Sequence, residues 1–323
     1  MPDISRFEVP IAQDLKKEMN ELWHETLEKP LNAMAAELAG KELDHNRLIF
    51  YLTRQGEALA GTTSITIPVA NPDLGGLGEV ATEPEFRRRG IAYRLCERAR
   101  DEFREAGGKA IFLATGNGVA RRVYARLRWQ RLANANVMAC IAGGASAEEF
   151  MVDYFGQPAD ATVRPASAAE RVPMIPLLIN PHDWQVLDAN VVGMHSTRQV
   201  LQNSCMGLYT RYTKAITAGK GTWFCARTSD GRLVGLSTVC LDDEGGCCVD
   251  GFAHRNFMEV WEDLIQAAAG WGANQGAKVT RALLAVEDED KRAHFESLGF
   301  REVGKGEGFD FRGLSKPSLR FER

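Results

Sequence analysis

The chain has 323 residues, of which 45% are hydrophobic and 25% charged, and its formal net charge is −4 at pH 7. This length predicts two domains, and the composition is typical of a globular protein. The small negative charge gives no reason to expect nucleic acid or an anionic membrane as a partner. The seven cysteines are odd in number and contain no C-x-x-C pair. We therefore expect neither a disulfide framework nor a metal site.

Targeting signals are not apparent in the sequence. The first residues lack the apolar core of a signal peptide, and no apolar run is long enough to span a bilayer. We therefore expect a cytoplasmic protein without membrane contact, as a monomer or a homodimer.

The first half predicts helices, a meander of strands, and then alternating strands and helices. Apolar residues recur at three- and four-residue spacing over residues 11–39, and Pro30 divides them into two helices. The later predicted elements are strands at 48–53 and 58–67, a strand ending at Pro84, a helix from about Gly90 to Glu105, a strand at 110–114, a helix at 119–127 and a strand at 137–141.

The second half repeats this order of elements, which indicates an internal duplication of domain size. The predicted helices at 182–193 and 198–218 precede strands at 222–227, 233–241 and 246–252. A helix at 258–273, a strand at 281–286 and a helix at 291–298 follow. We expect one domain at residues 1–145, a second at 160–323, and a linker at about 143–161.

The stretch from Glu79 to Ala92 reads as a short strand, a proline turn, a basic loop and the start of a helix. Amides at a helix start lack intrahelical partners and lie at the positive end of the dipole, so such a loop can bind an anion. Gly90 lets the backbone approach a phosphate closely. The alternative is that the arginine run is only a solvated face.

Two motifs carry a resemblance to a known family. Residues 82–84 read Thr-Glu-Pro and residues 87–92 read Arg-Arg-Arg-Gly-Ile-Ala, against the pattern V-x-P followed by Q/R-x-x-G-x-G/A. Residues 117–124 read Asn-Gly-Val-Ala-Arg-Arg-Val-Tyr, which fits N-x-x-A-x-x-x-Y, although Arg128 and Trp129 replace the usual Gly-Phe pair. Over residues 45–141 the chain resembles the GNAT superfamily of N-acetyltransferases.

The resemblance implies an α+β fold of two GNAT-like domains, each with a mixed, mostly antiparallel sheet and flanking helices. It also implies acetyl-CoA as co-substrate, with the pyrophosphate on the basic loop and the pantetheine alongside the signature strand. The residues implied in binding acetyl-CoA are Ala81, Thr82, Arg87, Arg88, Arg89, Gly90, Ile91, Ala92, Asn117 and Tyr124. Asn117 could instead serve only as a helix cap.

Two residues are candidates for catalysis by direct attack of an amine on the thioester. The resemblance places Tyr124 where many members have a general acid, and its alternative role is an aromatic packed at the cofactor's edge. Glu79 lies on the signature strand, sharing a face with Ala81 by strand alternation, and is the candidate base. The alternative for Glu79 is a rim carboxylate that only attracts a cationic amine.

The second half departs from the family pattern. His254-Arg255-Asn256 stands where the proline turn and glycine loop would be, and Asp288 and Phe295 align with Asn117 and Tyr124. The acidic run at 287–290 would repel a pyrophosphate. We therefore expect a degenerate domain that does not use acetyl-CoA.

The sequence leaves three functions open. The first is acetyl transfer to a small-molecule primary amine, which the two motifs favour. The second is acetylation of a protein lysine or N-terminus, and the third is a non-catalytic acyl-CoA-binding or sensor protein. The acceptor is not readable, because acceptor specificity depends on segments outside the motifs.

Overall fold

The computed structural model describes residues 3–132, 135–191, 205–311 and 313–323. These residues form two compact units. Unit 1 comprises the described residues up to Phe150 together with Cys205 and Met206, and unit 2 comprises the others.

Unit 1 contains one seven-stranded sheet and four helices. Its helices are α1 (Gln13–Leu27), α2 (Ala35–Leu38), α3 (Ile91–Glu105) and α4 (Gly118–Arg126). Its strands are β1 (Ile4–Glu8), β2 (Asn46–Gln55), β3 (Ala58–Pro68), β4 (Leu74–Thr82), β5 (Ala110–Ala114), β6 (Gln130–Arg131) and β7 (Val137–Ile141). The sheet order is β1-β2-β3-β4-β5-β7-β6, and the pairs are antiparallel except for β4 with β5.

Helix α5 (Ala147–Gly156) crosses the boundary between the two units and lies within the stretch 143–161 that the sequence assigns to a linker. The domain limits of 1–145 and 160–323 stay a prediction.

Unit 2 has a second seven-stranded sheet. Its helices are α6 (Met174–Ile179), α7 (Gly207–Ala218), α8 (Trp261–Asn274) and α9 (Glu289–Ser297). The strands are β8 (Ala161–Pro165), β9 (Thr222–Thr228), β10 (Leu233–Leu241), β11 (Cys247–Ala253), β12 (Thr280–Ala285), β13 (Arg301–Lys305), β14 (Phe309–Phe311), β15 (Leu314–Lys316) and β16 (Ser318–Glu322). The sheet order is β8-β9-β10-β11-β12-β16-β13, and β14 pairs with β15.

The two sheets have the same plan. Each begins with four antiparallel strands in chain order, continues with one parallel pair, β4–β5 or β11–β12, and ends with antiparallel neighbours. This agreement supports the duplication read from the sequence. The predicted α+β fold with mixed, mostly antiparallel sheets and flanking helices is confirmed.

The core of unit 1 forms on both faces of its sheet. Helix α3 packs Leu95, Cys96 and Phe103 onto one face, and all three side chains are buried. Helix α1 packs its buried stripe, which includes Met19 and Trp23, onto the other face. As predicted, the helical region 11–39 is divided near Pro30, because α1 ends at Leu27 with Glu28 in the left-handed conformation (φ 54°).

The prediction of a helix at 182–193 is wrong over its described part, since residues 182–191 form neither helix nor strand. Backbone amides of this stretch donate to the carboxylates of Asp288 and Asp250. Of the predicted helix 198–218, residues 207–218 are helical as α7, and its first residues lie outside the described part, as does His195. No helix in the described ranges combines the length and apolar character that a membrane span requires.

Candidate functional site

In unit 1 the only parallel strand pair of the described sheet separates after three residue pairs. The ladder of β4 and β5 runs from Leu74–Ala110 to Gly76–Phe112 and then stops. Strand β4 continues against β3 as far as Thr82, and β5 continues against β7 as far as Ala114. A wedge-shaped gap therefore opens between β4 and β5, lined by backbone groups that no longer pair across it.

A β-bulge lies on β4 beside this gap. The register passes from Thr62–Ala81 to Ser64–Gly78, so two residues of β4, Glu79 and Val80, oppose a single residue of β3. Glu79 has a positive φ of 50°, which is an uncommon and strained conformation for a residue with a side chain. The bulge interrupts the regular alternation of side chains along β4, on which the expectation that Glu79 and Ala81 share one face depends.

The carboxylate of Glu79 is bound by a lysine that the motifs do not include. Both of its oxygens accept hydrogen bonds from Lys29 Nζ, at 2.6 and 2.5 Å. The Glu79 side chain is 8% exposed and that of Lys29 is 34% exposed. The pair joins the loop after α1 to the bulge of β4, 50 residues along the chain.

A second link fixes the same place. Trp23 Nε1 donates to the hydroxyl of Thr62 at 3.0 Å, and that hydroxyl donates to the carbonyl oxygen of Glu79 at 2.8 Å. Trp23 and Thr62 are both buried. The end of α1 therefore determines the geometry of the bulge through both the main chain and the side chain of Glu79.

The basic loop after β4 has the conformation of an anion-binding turn. Arg88 and Gly90 have positive φ values of 64° and 74°, and Gly90 is the N-cap of the 15-residue helix α3. No side chain caps this end of α3, and its first turn contains no acidic residue. The first amides of α3 are therefore directed towards the loop exterior, at the positive end of the helix dipole.

Arginine side chains hold the shape of this loop. Arg87 Nε donates to the carbonyl of Thr82 at 3.1 Å, and Arg94 Nη1 donates to the carbonyl of Arg89 at 3.1 Å. The guanidinium of Arg89 lies 5.3 Å from the ring centroid of Phe86. Residues 87–90 are all exposed.

Thr82 and Gly90 suit a phosphorylated ligand that is bound by backbone amides and a small hydroxyl side chain. The hydroxyl of Thr82 is buried and has no hydrogen-bond partner within the described residues. A Cβ at Gly90 would lie 3.3 Å from Arg94 Nη1, and the backbone there needs a positive φ that other residues rarely adopt. Ala81 is buried in the core, so it can offer only its backbone, while Ile91 and Ala92 provide amides of the first turn of α3.

Asn117 and Tyr124 lie on the second motif. Asn117 is the N-cap of α4, and its Oδ1 accepts from the amides of Val119 at 2.8 Å and Ala120 at 3.2 Å. Tyr124 is 6% exposed and packs in the core beneath α3, near Trp129. Burial raises the pKa of the Tyr124 phenol well above its usual range, so this group stays protonated at neutral pH.

Cys205 and Met206 belong to unit 1 although they come from a distant part of the sequence. A Cβ added to Gly78 would lie 4.0 Å from Met206 Cγ. The backbone of Ala114 hydrogen-bonds to the Cys205 thiol, and Cys205 is close enough to Tyr124 to act on its pKa. Burial raises the pKa of the Cys205 thiol to about 12, so it is not a nucleophile at neutral pH.

Unit 2 has the same gap between its parallel strands. The ladder of β11 and β12 contains only Cys247–Thr280 and Cys248–Arg281, whereas β11 stays paired with β10 as far as Ala253. The ladder of β10 and β11 is regular, so the bulge seen at Glu79 has no equivalent.

A segment of the chain itself lies in this second gap. Asp288 accepts from the amides of Gln185 at 2.6 Å and Val186 at 3.0 Å, and Asp250 accepts from the amide of Ala189 at 2.7 Å. We call residues 185–190 the insert segment. Its apolar side chains Val186 and Ala189 pack in a cluster that contains residues 283 and 285 of β12.

Lys291 holds the insert segment from the side of α9. Its Nζ donates to the carbonyls of Val186 at 2.9 Å and Leu187 at 3.2 Å, and it forms an ion pair of 2.6 Å with Asp250. Both charged side chains of this pair are at most 1% exposed. Such a pair is stable because every charge is also hydrogen-bonded.

The insert segment has one carboxylate of its own, that of Asp188, which is fully buried near Asp250. Its Oδ1 accepts from the Thr238 hydroxyl at 2.8 Å and from the amide of Asn190 at 3.0 Å, while its Oδ2 has no partner among the described residues. Burial and the negative charge of Asp250 raise the pKa of Asp188 to about 7. Burial also raises the pKa of Asp250, while Lys291 acts to lower it, so the two acids titrate as an interacting pair.

The same sequence interval separates Glu79 from Asp250, Asn117 from Asp288 and Tyr124 from Phe295. In unit 2 these three residues have structural roles, whereas their counterparts in unit 1 are candidate site residues. Asp288 begins α9 without capping it and binds the insert segment instead. Phe295 is fully buried against Trp261 and Phe300.

The sequence model of the Acetyltransferase (GNAT) family matches residues 10–128, the part of the chain with the wedge-shaped gap, the basic loop and both motifs. Residues 10–128 are therefore a GNAT domain, and the resemblance read from the motifs is confirmed for this part of the chain. Unit 2 is compatible with a second, degenerate copy. Comparison with curated protein sequences gives no significant match.

Several solved acetyltransferases resemble about half of the chain. One is a phosphinothricin acetyltransferase from Sinorhizobium meliloti in complex with AcCoA, with 15% identity, a TM-score of 0.38 and coverage of 50% of this chain and 87% of that chain. The spermidine/spermine N-acetyltransferase SpeG from Vibrio cholerae has 18% identity, a TM-score of 0.36 and coverage of 50% and 91%. The ribosomal-protein-S5-alanine acetyltransferase from Vibrio fischeri has 9% identity, a TM-score of 0.38 and coverage of 52% and 94%.

In the ranges that the structure describes, no group of three or more His, Cys, Asp or Glu side chains could hold a metal ion. Three further residues act on Glu79 and Tyr124 from distant positions and belong to neither motif: Lys29, Thr62 and Cys205. No local signal in the sequence pairs Lys29 with Glu79.

The buried Asp188 predicts a pH dependence for the stability of unit 2. Between its ordinary pKa of 3.8 and about 7, the folded state holds a proton that the unfolded state releases. The contribution of Asp188 to the free energy of unfolding therefore falls as the pH rises through this window, and its loss is complete above about 7. Asp188→Asn should flatten this slope, measured by hydrogen exchange of β11 and β12 amides in the full chain.

The control is Asp243→Asn, at an exposed turn position, which should keep the wild-type slope. Equal slopes for the wild type and Asp188→Asn would contradict the assignment of the proton to Asp188.

Proposed function

We propose that the protein is an N-acetyltransferase that transfers the acetyl group of acetyl-CoA to a small-molecule primary amine, and that unit 1 carries the reaction. One observation carries this proposal. Beyond the point where β4 and β5 part, the chain contains the strained bulge at Glu79 and then the loop that ends at the uncapped N-terminus of α3.

Acetyl-CoA has two parts that this geometry suits. Its pyrophosphate would bind the amides at Gly90, Ile91 and Ala92, with the side chains of residues 87–89 adding positive charge. Its pantetheine chain carries amides that can pair with β4 beyond residue 76 as an added strand would. Thr82 is the last residue of β4, and its buried hydroxyl has no partner among the described residues.

The reaction needs a neutral amine and a protonated leaving group. Glu79 would take the proton of the incoming ammonium, and Tyr124 would give a proton to the thiolate. Burial raises the pKa of the Tyr124 phenol, which ensures that the proton is present at neutral pH. Asn117 would take part through the cap that fixes α4, the helix that carries Tyr124.

The donor would bind once per chain. In unit 2 the insert segment occupies the gap that corresponds to the pantetheine path, and its backbone is bound by Asp288, Asp250 and Lys291. A ligand there would have to displace a segment whose polar groups are bonded to buried charges, which is costly. Unit 2 would then serve as a structural partner domain.

The acceptor would be cationic before it reacts. The carboxylate of Glu79 is nearly buried, and the group that binds it in the structure is the ammonium of Lys29. A primary ammonium of similar size could make the same hydrogen bonds. This local charge favours an amine over a neutral or acidic acceptor.

The general test is release of CoA thiol by the purified chain with acetyl-CoA and a panel of polyamines, amino acids, aminosugars and peptides. We expect turnover with small amines, above the rate of hydrolysis. Turnover only with peptides would replace the small-molecule acceptor with a protein, and acetyl-CoA binding without turnover on any acceptor would indicate a sensor.

Gly90→Asp should weaken acetyl-CoA binding at least about tenfold, because it places a carboxylate at the proposed pyrophosphate site and strains a left-handed position. Calorimetry of the wild type should give one molecule per chain. Gly107→Asp is the matched control, since Gly107 is also left-handed (φ 93°) but follows the other end of α3. Unchanged affinity in Gly90→Asp would contradict the proposed donor site.

Tyr124→Phe should lower kcat by roughly 10²–10⁴-fold, the usual contribution of a general acid. Its affinity for acetyl-CoA should change little, because the ring stays in the core. Tyr93→Phe on α3 is the control and should keep the wild-type kcat. If Tyr124→Phe turns over at the wild-type rate, Tyr124 is only a packing residue.

A further inference from the structure

The backbone of Lys29 is held in place by two hydrogen bonds to residues of α1. Its amide donates to the carbonyl of Trp23 at 3.4 Å, and its carbonyl hydrogen-bonds to the Nδ1 of His24 at 2.9 Å. These bonds follow the left-handed turn at Glu28 that ends α1. The position of Lys29 is therefore fixed by the end of the helix.

The side chain of Lys29 reaches the residue that our proposed function makes the base. Its Nζ lies 2.6 and 2.5 Å from the two oxygens of Glu79, whose side chain is almost buried. An exposed salt bridge contributes little to stability, with a typical value of about 0–1 kcal/mol. The placement of this ammonium against a nearly buried carboxylate on a strained bulge is thus more than surface charge pairing.

An acceptor amine has to place its nitrogen within hydrogen-bond distance of the base. The chain already places one primary amine there, tethered by a short loop. Tethering of two reacting groups raises their effective concentration by orders of magnitude over a free amine in solution.

We propose that Lys29 is a site of self-acetylation, in which the chain transfers the acetyl group of its bound acetyl-CoA to its own Lys29 Nζ. This inference rests on the proposed function, because it uses the same donor site and the same proton path. The modification would neutralise the ammonium that pairs with Glu79.

The step balances with groups of the proposed site. One proton passes from the Lys29 ammonium to the Glu79 carboxylate, and the Nζ lone pair forms a bond to the carbonyl carbon of the thioester. The C–S bond breaks, and the thiolate takes the proton of the Tyr124 hydroxyl. The products are acetyl-lysine at position 29 and CoA with a free thiol, and no oxidant or further reactant is needed.

Other lysines of the first helical region provide internal controls. Lys17 is 76% exposed on α1, where it pairs only loosely with Glu21 at 3.9 Å. A lysine that reacts with acetyl-CoA without catalysis should be of this exposed kind. Lys29 is less exposed and would be the slower residue in uncatalysed chemistry.

The experiment is incubation of the full chain with acetyl-CoA, followed by peptide mass mapping of acetyl-lysine over time. We expect Lys29 to be acetylated at least about tenfold faster than Lys17, with a rate that does not depend on protein concentration. Glu79→Gln should abolish the labelling of Lys29 and leave Lys17 unchanged. Lys29→Arg keeps a cation opposite Glu79 and should lose only the acetyl label at position 29. Lys17→Arg should keep the label at Lys29.

A mixing arm tests whether the transfer is internal. The Tyr124→Phe chain, which keeps Lys29, should stay unlabelled at Lys29 when it is incubated with wild-type chain and acetyl-CoA. Labelling of Lys29 on the Tyr124→Phe chain in that mixture, or equal rates at Lys29 and Lys17 in the wild type, would overturn the proposal. If a panel amine is turned over but Lys29 is not labelled, the self-acetylation proposal is wrong and the proposed function stands. If acetyl-CoA does not bind in calorimetry, both the self-acetylation proposal and the proposed function are wrong.

Discussion

The early end of a parallel strand pair is the constraint on which both units depend. When β4 parts from β5, or β11 from β12, backbone groups inside a sheet lose their neighbours and must find other partners. In unit 2 the insert segment lies beside these strands, and the side-chain amide of its Asn190 donates to the carbonyl of Cys248 on β11. Unit 1 has a bulge at the same place, and on our proposal the amides of the acyl donor complete the pairing. On our proposal, two sheets of the same plan thus have one closed and one ligand-dependent solution.

The acid at the equivalent position of each unit illustrates the divergence. Glu79 and Asp250 are both bound by a lysine, at 2.5 and 2.6 Å, but the lysines come from different elements. Lys291 is buried, so removal of its partner would leave an uncompensated charge, and exchange with a ligand is unfavourable. Lys29 is 34% exposed, and water can replace its contacts. The pair of unit 1 is therefore the more accessible of the two from the lysine side, although opening it leaves the nearly buried Glu79 without its cation.

The strand, turn and helix start at residues 79–92 were predicted from the sequence because that information is local. Residues 79–92 determine a strand, a turn with left-handed positions and a helix start within one continuous stretch. The apolar stretch at 182–191 misled the helix prediction, since its structure depends on Asp250, Asp288 and Lys291, which are 61 to 105 residues away. The pairing of Lys29 with Glu79 was not predicted from the sequence for the same reason. Contacts between distant positions leave no periodic signal in one sequence.

The difference between local and distant determinants also explains why the donor is readable and the acceptor is not. Acetyl-CoA would be bound largely by main-chain amides, whose positions follow from a few glycine and turn residues. An acceptor amine would instead meet Glu79, whose neighbours Trp23 and Lys29 come from another element. Substitutions in the loop after α1 can change that environment without altering the basic loop. Acceptor choice in this protein would therefore depend on the residues around Lys29, where the chain already presents an amine of its own to the proposed base.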